Sequence, residues 1–173
     1  MGRTLINLLI LFFLLIFAQV IIFNNICLFN IAIPIVFIYF IIRLPITINI
    51  NWALTIAFFI GLIVDIFSNT QGMHALSCTI ITFVRRDILR LYISREEDIT
   101  DGIVSIKSIG MSSFLKYTFT IILLYSLVIF CIEAFTFFNP LLLMSKIITS
   151  TFLSFVIILG IDRIANNQRE KRL

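Results

Sequence analysis

The chain has 173 residues, 61% hydrophobic and only 13% charged, with a net charge of +4 and a mean hydropathy of +1.14. Soluble domains carry roughly 45–50% apolar and about 25% charged residues, so one water-facing core could not conceal the excess and lipid is the expected solvent. The sequence pI of about 9.2 does not argue for nucleic acid, because Lys and Arg sit at the ends of apolar runs and not in a stripe on a soluble surface.

A membrane-crossing helix needs about 20 mainly apolar residues for about 30 Å of hydrocarbon. Six segments meet this measure, roughly residues 4–23, 28–44, 50–67, 72–92, 111–137 and 141–161. The first run, from Leu5 to Phe23, is longer than the ~7–15-residue core of a signal peptide, so it reads as a span. Ile6 stands where myristoylation needs Ser or Thr. Asn24-Asn25 closes the first run. Pro34 is expected in the first turns of the second span, and Pro45 ends it. Ser68-Asn69-Thr70-Gln71-Gly72 forms a polar turn between spans three and four, and Asn139-Pro140 another before span six.

Span four is the least apolar. The uncharged stretch Met73–Val84 is only twelve residues, about 18 Å as a helix. A full crossing requires the helix to run on through Asp87 and Arg90 while Arg85 and Arg86 snorkel to the headgroups; a re-entrant or interfacial segment is the alternative. Residues 93–110 are expected to be a solvated connector carrying Arg95-Glu96-Glu97-Asp98, with docking of a cytoplasmic partner as the alternative. Residues Asp87–Tyr92 before it are amphipathic and suit the headgroup plane.

With a cytoplasmic N-terminus, the inner side collects Arg3, Arg43, Arg85, Arg86, Arg90, Arg95, Lys107, Lys116, Arg163, Arg169, Lys171 and Arg172, against Lys146 alone outside. That asymmetry predicts an all-α membrane protein of six transmembrane helices, N-in and C-in, forming one domain over residues 1–173.

Cys27, Cys78 and Cys131 are too scattered for a disulfide framework or a metal pair, and Cys78 and Cys131 read as small buried hydrophobes. The single histidine, His74, has no second His or Cys at ligand spacing. No nucleotide loop, nucleophile elbow or zinc-protease motif occurs. The expectation is therefore no enzyme, no cofactor and no metal.

Polar groups inside spans are costly and point to function. Gln19, Asp65, His74, Glu133 and Lys146 are predicted at one depth near the outer leaflet. Asp65 and His74 could equally cap helix ends, Glu133 and Lys146 could form a structural ion pair, and Gln19 could be an ordinary helix-end residue. Ala57, Gly61 and Asp65 recur every four residues, a small-residue face that admits another helix closely. His74, Ser77, Cys78, Ile81, Thr82 and Arg85 form one stripe on span four, and Lys146, Thr149, Ser150 and Ser154 another on span six.

Gly61-Leu62-Ile63-Val64-Asp65-Ile66-Phe67, followed by Thr70-Gln71-Gly72-Met73-His74-Ala75-Leu76, resembles the rod shape-determining protein MreD family, whose recognisable segment is a GL-x-x-D helix end, a polar turn and a G-x-H-A-L helix start. Ile129-Phe130-Cys131-Ile132-Glu133-Ala134-Phe135 is similar to versions from Bacteroidetes-type bacteria. The resemblance implies a multi-pass protein of the cell inner membrane, with a fold similar to the substrate-binding subunits of energy-coupling-factor transporters. It implies a non-enzymatic scaffold of the cell-wall elongation complex, involved in peptidoglycan synthesis and rod-shape maintenance. The implied partners are an MreC-like single-span periplasmic protein and, through the complex, a glycan polymerase, a transpeptidase and MreB filaments, besides membrane lipids. The partner-binding candidates are Ala57, Gly61, Asp65, Gly72, His74 and Glu133. The alternative is a substrate-binding subunit of a vitamin-type transporter, which would want a cavity with several convergent aromatic and polar groups; Trp52, the single Trp, falls at the cytoplasmic end.

Overall fold

The computed structural model describes residues 10, 12–19, 21, 34–93, 102–133 and 140–170, with backbone alone for Lys107 and residues 165–170. The ends of span one, Asn24-Asn25, the start of span two, the Arg95–Asp98 stretch and the extreme C-terminus lie outside the described residues. Regular structure among the described residues is helical: α1 (residues 12–18), α2 (Ile38–Arg43), α3 (Ile50–Ser68), α4 (Met73–Tyr92), α5 (Ile106–Ile109), α6 (Met111–Glu133) and α7 (Pro140–Glu170).

Three of these, Ile50–Ser68, Met111–Glu133 and the Pro140–Ile164 part of α7, are long and apolar enough to cross a membrane. The protein is thus an α-helical membrane protein. Its large apolar side chains point outward as well as inward: Trp52, Phe59, Phe67, Phe83, Ile148 and Phe152 are all more than half exposed, as expected of a surface solvated by lipid.

α3 and α4 form a hairpin, α4 packs on α6, and α6 packs on α7. The hairpin turn is set by backbone sign. Asn69 ends α3 in the left-handed region at φ 55°, and Gly72 precedes α4 at φ 75°, a conformation that Asn tolerates and Gly adopts freely. The interior collects aromatic rings, with Phe37, Tyr39, Phe114, Tyr117 and Tyr125 fully buried.

Two expectations about continuity are corrected. Span two is not one helix over 28–44: residues 34–36 are non-helical and buried, and among its described residues the helix is Ile38–Arg43. Pro34 brings no N–H, and neighbouring side chains supply the bonds that the open backbone needs. Residues 102–110 are likewise no solvated connector. Ile103, Val104 and Ser105 are buried, and Ile106 and Ile109 pack on the core. Gly102 lies at φ 64°, where an added Cβ would meet Thr47 Cγ2 at 3.2 Å, and its carbonyl accepts from Ile46 N–H at 2.8 Å. Ser105 and Ser108 then form a capping box that starts α5. This strap tucks under the residue 44–49 loop. The amphipathic Asp87–Tyr92 segment is simply the last turns of α4, with Ile88 and Leu89 inward and Asp87, Arg90 and Leu91 outward.

Candidate functional site

At the hairpin end, Asp65 reaches from the last turn of α3 to the first turn of α4. Its Oδ1 accepts from His74 N–H at 3.0 Å and from the Thr70 hydroxyl, and its Oδ2 accepts from Ala75 N–H at 2.9 Å. The first N–H groups of a helix have no intrahelical partner, and a carboxylate there also meets the positive end of the helix dipole. Gly72 offers no side-chain cap, so Asp65 does that work from the preceding helix. It is 3% exposed.

The same crossing explains Gly61. A Cβ at Gly61 would lie 2.4 Å from Ala75 Cα and 2.6 Å from the His74 carbonyl oxygen. Ala57, Gly61 and Asp65 are buried together, and the helix they admit is the chain's own α4. The expected docking of a partner's helix on this stripe is therefore corrected: backbone contact inside the molecule already fills it.

His74 extends the cluster inward. Its Nδ1 lies 2.6 Å from the Tyr125 hydroxyl, and its ring stacks on Tyr125 at 6.3 Å between centroids. Phe37, just before α2, meets both rings edge-on at 5.8 Å. Glu133 pairs with Lys146 at 3.5 Å, half in solvent, with Lys146 6.0 Å from the Phe130 ring centroid. Of the six candidates, Ala57, Gly61 and Asp65 are buried, His74 is half-buried, and Gly72 and Glu133 are exposed.

Gln19 is not an ordinary helix end. It is buried, donates from Nε2 to the Pro34 carbonyl at 3.0 Å and accepts Val36 N–H on Oε1 at 2.8 Å. Ser154 Oγ accepts Ile35 N–H at 2.8 Å. Two side chains thus serve the open backbone at residues 34–36, meeting the rule that buried main-chain groups find partners. The α4 stripe faces inward as expected: Ser77, Cys78, Ile81, Thr82 and Arg85 are all buried, with His74 half-buried at its end. The α7 stripe divides, because Ser150 and Ser154 are buried whereas Thr149 is exposed and donates to its own helix at Ser145 O.

The opposite end holds arginines that sequence reasoning misplaced or passed over. Arg85 does not snorkel. It is 3% exposed and donates from Nη1 to the carbonyls of Ile41 (2.7 Å) and Leu44 (2.9 Å) and from Nη2 to Pro45 (3.0 Å). Arg86 Nη2 donates to the Ile46 and Ile48 carbonyls. These carbonyls belong to the end of α2 and the following loop, where Ile41 O also takes the Leu44 N–H at 3.4 Å, and the five N–H donors of a guanidinium suit the task. Nearby, Arg43 Nη2 lies 2.8 Å from Asp162 Oδ1, Tyr39 donates to the same oxygen at 2.7 Å, and Arg43 Nε donates to the Tyr39 hydroxyl at 2.8 Å. All three residues are buried. The available signals were Pro34 inside an apolar run, two Arg after an uncharged stretch of only twelve residues, and an Asp directly after the expected end of span six at Ile161.

Among the described residues, no group of three His, Cys, Asp or Glu could hold a metal ion. Cys78 is a free, buried thiol and Cys131 a free, half-buried one. What the arrangement offers is positioning: one polar lock at each end of the bundle, with α2 between. Comparison with protein-family models, curated proteins and solved structures finds no match to this chain.

Proposed function

We propose that this chain is a non-enzymatic, MreD-like scaffold of the cell-wall elongation complex, crossing the inner membrane six times with both ends in the cytoplasm. The supporting observation is the hairpin itself. Four residues of the family-like segment have a mechanical task there: Gly61 for the crossing with Ala75, Asp65 for the cap, Gly72 for the turn and His74 for the bond to Tyr125. A family whose recognisable segment is a rigid outward hairpin is one whose work is presenting a surface. The role proposed is to bind and position an MreC-like single-span partner and, through it, the wall synthases and MreB filaments. Contact falls on the exposed tip around Gly72 and Glu133 and on lipid-facing helix surfaces, because the Ala57–Gly61–Asp65 stripe is filled.

Affinity purification of the full chain in mild detergent tests this reading. Co-elution of a single-span periplasmic coiled-coil protein with wall synthases is the expected result, and depletion should round rod-shaped cells. One observation favours a second reading, a substrate-binding transporter subunit similar in fold to those of energy-coupling-factor transporters. The irregular backbone at residues 34–36, buried in protein, is of the kind that builds transporter sites. Co-elution of an ATPase pair, or a vitamin requirement on depletion, would replace the first reading with that one.

A further inference from the structure

We infer that α2 is a docked relay that couples the hairpin end of the molecule to the strap at the arginine end. It has six residues, all buried, well below the length at which a helix holds itself together. From the residues before it only two short-range backbone bonds lead in, Tyr39 N–H to Val36 O at 3.1 Å and Phe40 N–H to Phe37 O at 3.0 Å. Its flanks are instead held by side chains of other helices: Gln19 of the α1 region and Ser154 of α7 before it, Arg85 and Arg86 of α4 after it.

One short stretch touches both ends. Phe37 packs edge-on against His74 and Tyr125. Nine residues on, Ile46 N–H bonds the Gly102 carbonyl, and Thr47 fills the space beside Gly102 at the head of the strap. A segment fixed by side-chain bonds to main chain shifts as one body, because the bonds at either flank can be exchanged without unwinding a long helix. A packed core favours discrete positions over gradual yielding. A disturbance of the His74–Tyr125 pair is therefore passed through Phe37 and α2 to residues 46–47, and so to the burial of Ile103 and Val104. This coupling stands apart from the identity of any partner and holds or fails independently of the cell-shape assignment.

The test uses the purified full chain with Cys27 and Cys131 replaced by Ala and Ile103→Cys introduced; Cys78, fully buried and bonded to Tyr125, is kept, and the same chain without Ile103→Cys gives the background. Ile103 is 3% exposed, so maleimide labelling is slow at rest. Tyr125→Phe, which keeps the ring and removes the hydroxyl, and His74→Ala should each speed labelling on the order of five-fold or more, the low end of ordinary coupling between sites. Leu76→Ala, a lipid-facing change on the same turn of α4, should leave it unchanged. Unaltered labelling in both cluster variants overturns the inference, and so does an equal rise with Leu76→Ala. Should the cysteine variant fail to fold, deuterium exchange at the Ile46 amide gives the same reading: faster exchange with Tyr125→Phe supports the relay, and unchanged exchange refutes it.

Discussion

Three glycines separate the effects that a missing side chain can have. Gly61→Ala places a methyl group 2.4 Å from Ala75 Cα, and the contact is backbone, so α3 and α4 must part; a loss of about 1–3 kcal/mol is expected for such overpacking. Gly72→Ala meets nothing within 4 Å but must hold φ at 75°, a left-handed conformation costing roughly 1–2 kcal/mol. Gly160→Ala is in open space on a helix and should be neutral or slightly stabilising. Thermal stability in detergent should rank them in that order. Asp65→Ala removes an acceptor from two amides and a hydroxyl and should cost about 1–2 kcal/mol as a lost cap. Asp65→Asn, which keeps one acceptor oxygen, should cost less. At this scale the sequence was informative. The four-residue spacing of Ala57, Gly61 and Asp65 announced a close helix crossing, and the only error was in whose helix. Periodicity reports which face is covered; it carries no label for the occupant.

Among the elements, α2 and the strap were the least legible. Both depend on partners far along the chain. The carbonyls of Ile41, Leu44 and Pro45 bond Arg85 across 40–44 residues, and Arg43 meets Asp162 across 119. An apolar run such as residues 35–42 reads the same whether it continues a long helix or fills a gap between helices, and Arg at a span end reads as a headgroup anchor unless its acceptors are known. The buried Arg43–Asp162 pair gives a clean test. Arg43→Met or Asp162→Leu alone breaks a buried ion pair and should destabilise the protein by about 3–5 kcal/mol, whereas the double variant should recover much of that loss. Guanidinium denaturation or detergent thermal shifts would read the difference. Additive losses would mean that the two charges act separately. Arg85→Met has no such rescue, because the carbonyls it leaves belong to the main chain.

Over the whole molecule, hydropathy alone identified lipid as solvent, and the outward apolar side chains of α3, α4 and α7 agree with it. The proposed sidedness rests on charge asymmetry and can be measured directly. Cysteine at Asn69 or Gln71, both exposed on the hairpin turn, should react with an impermeant maleimide in intact cells, and cysteine at Thr47, exposed beside the strap, should react only after the envelope is opened. Reaction of all three positions from one side would overturn the proposed six-span arrangement.

The clamp on α2 also has a consequence for biogenesis. While the ribosome has made residues 34–48 but not yet Arg85 and Arg86, the carbonyls of Leu44, Pro45, Ile46 and Ile48 lack the donors that those arginines bring, and hydrocarbon offers no substitute. The early part of the chain must therefore wait at the translocon for a helix born some forty residues later. A nascent chain halted at Gly72 should be cleared by membrane proteases faster in pulse-chase than one halted at Ile93, although the two differ by a single helix.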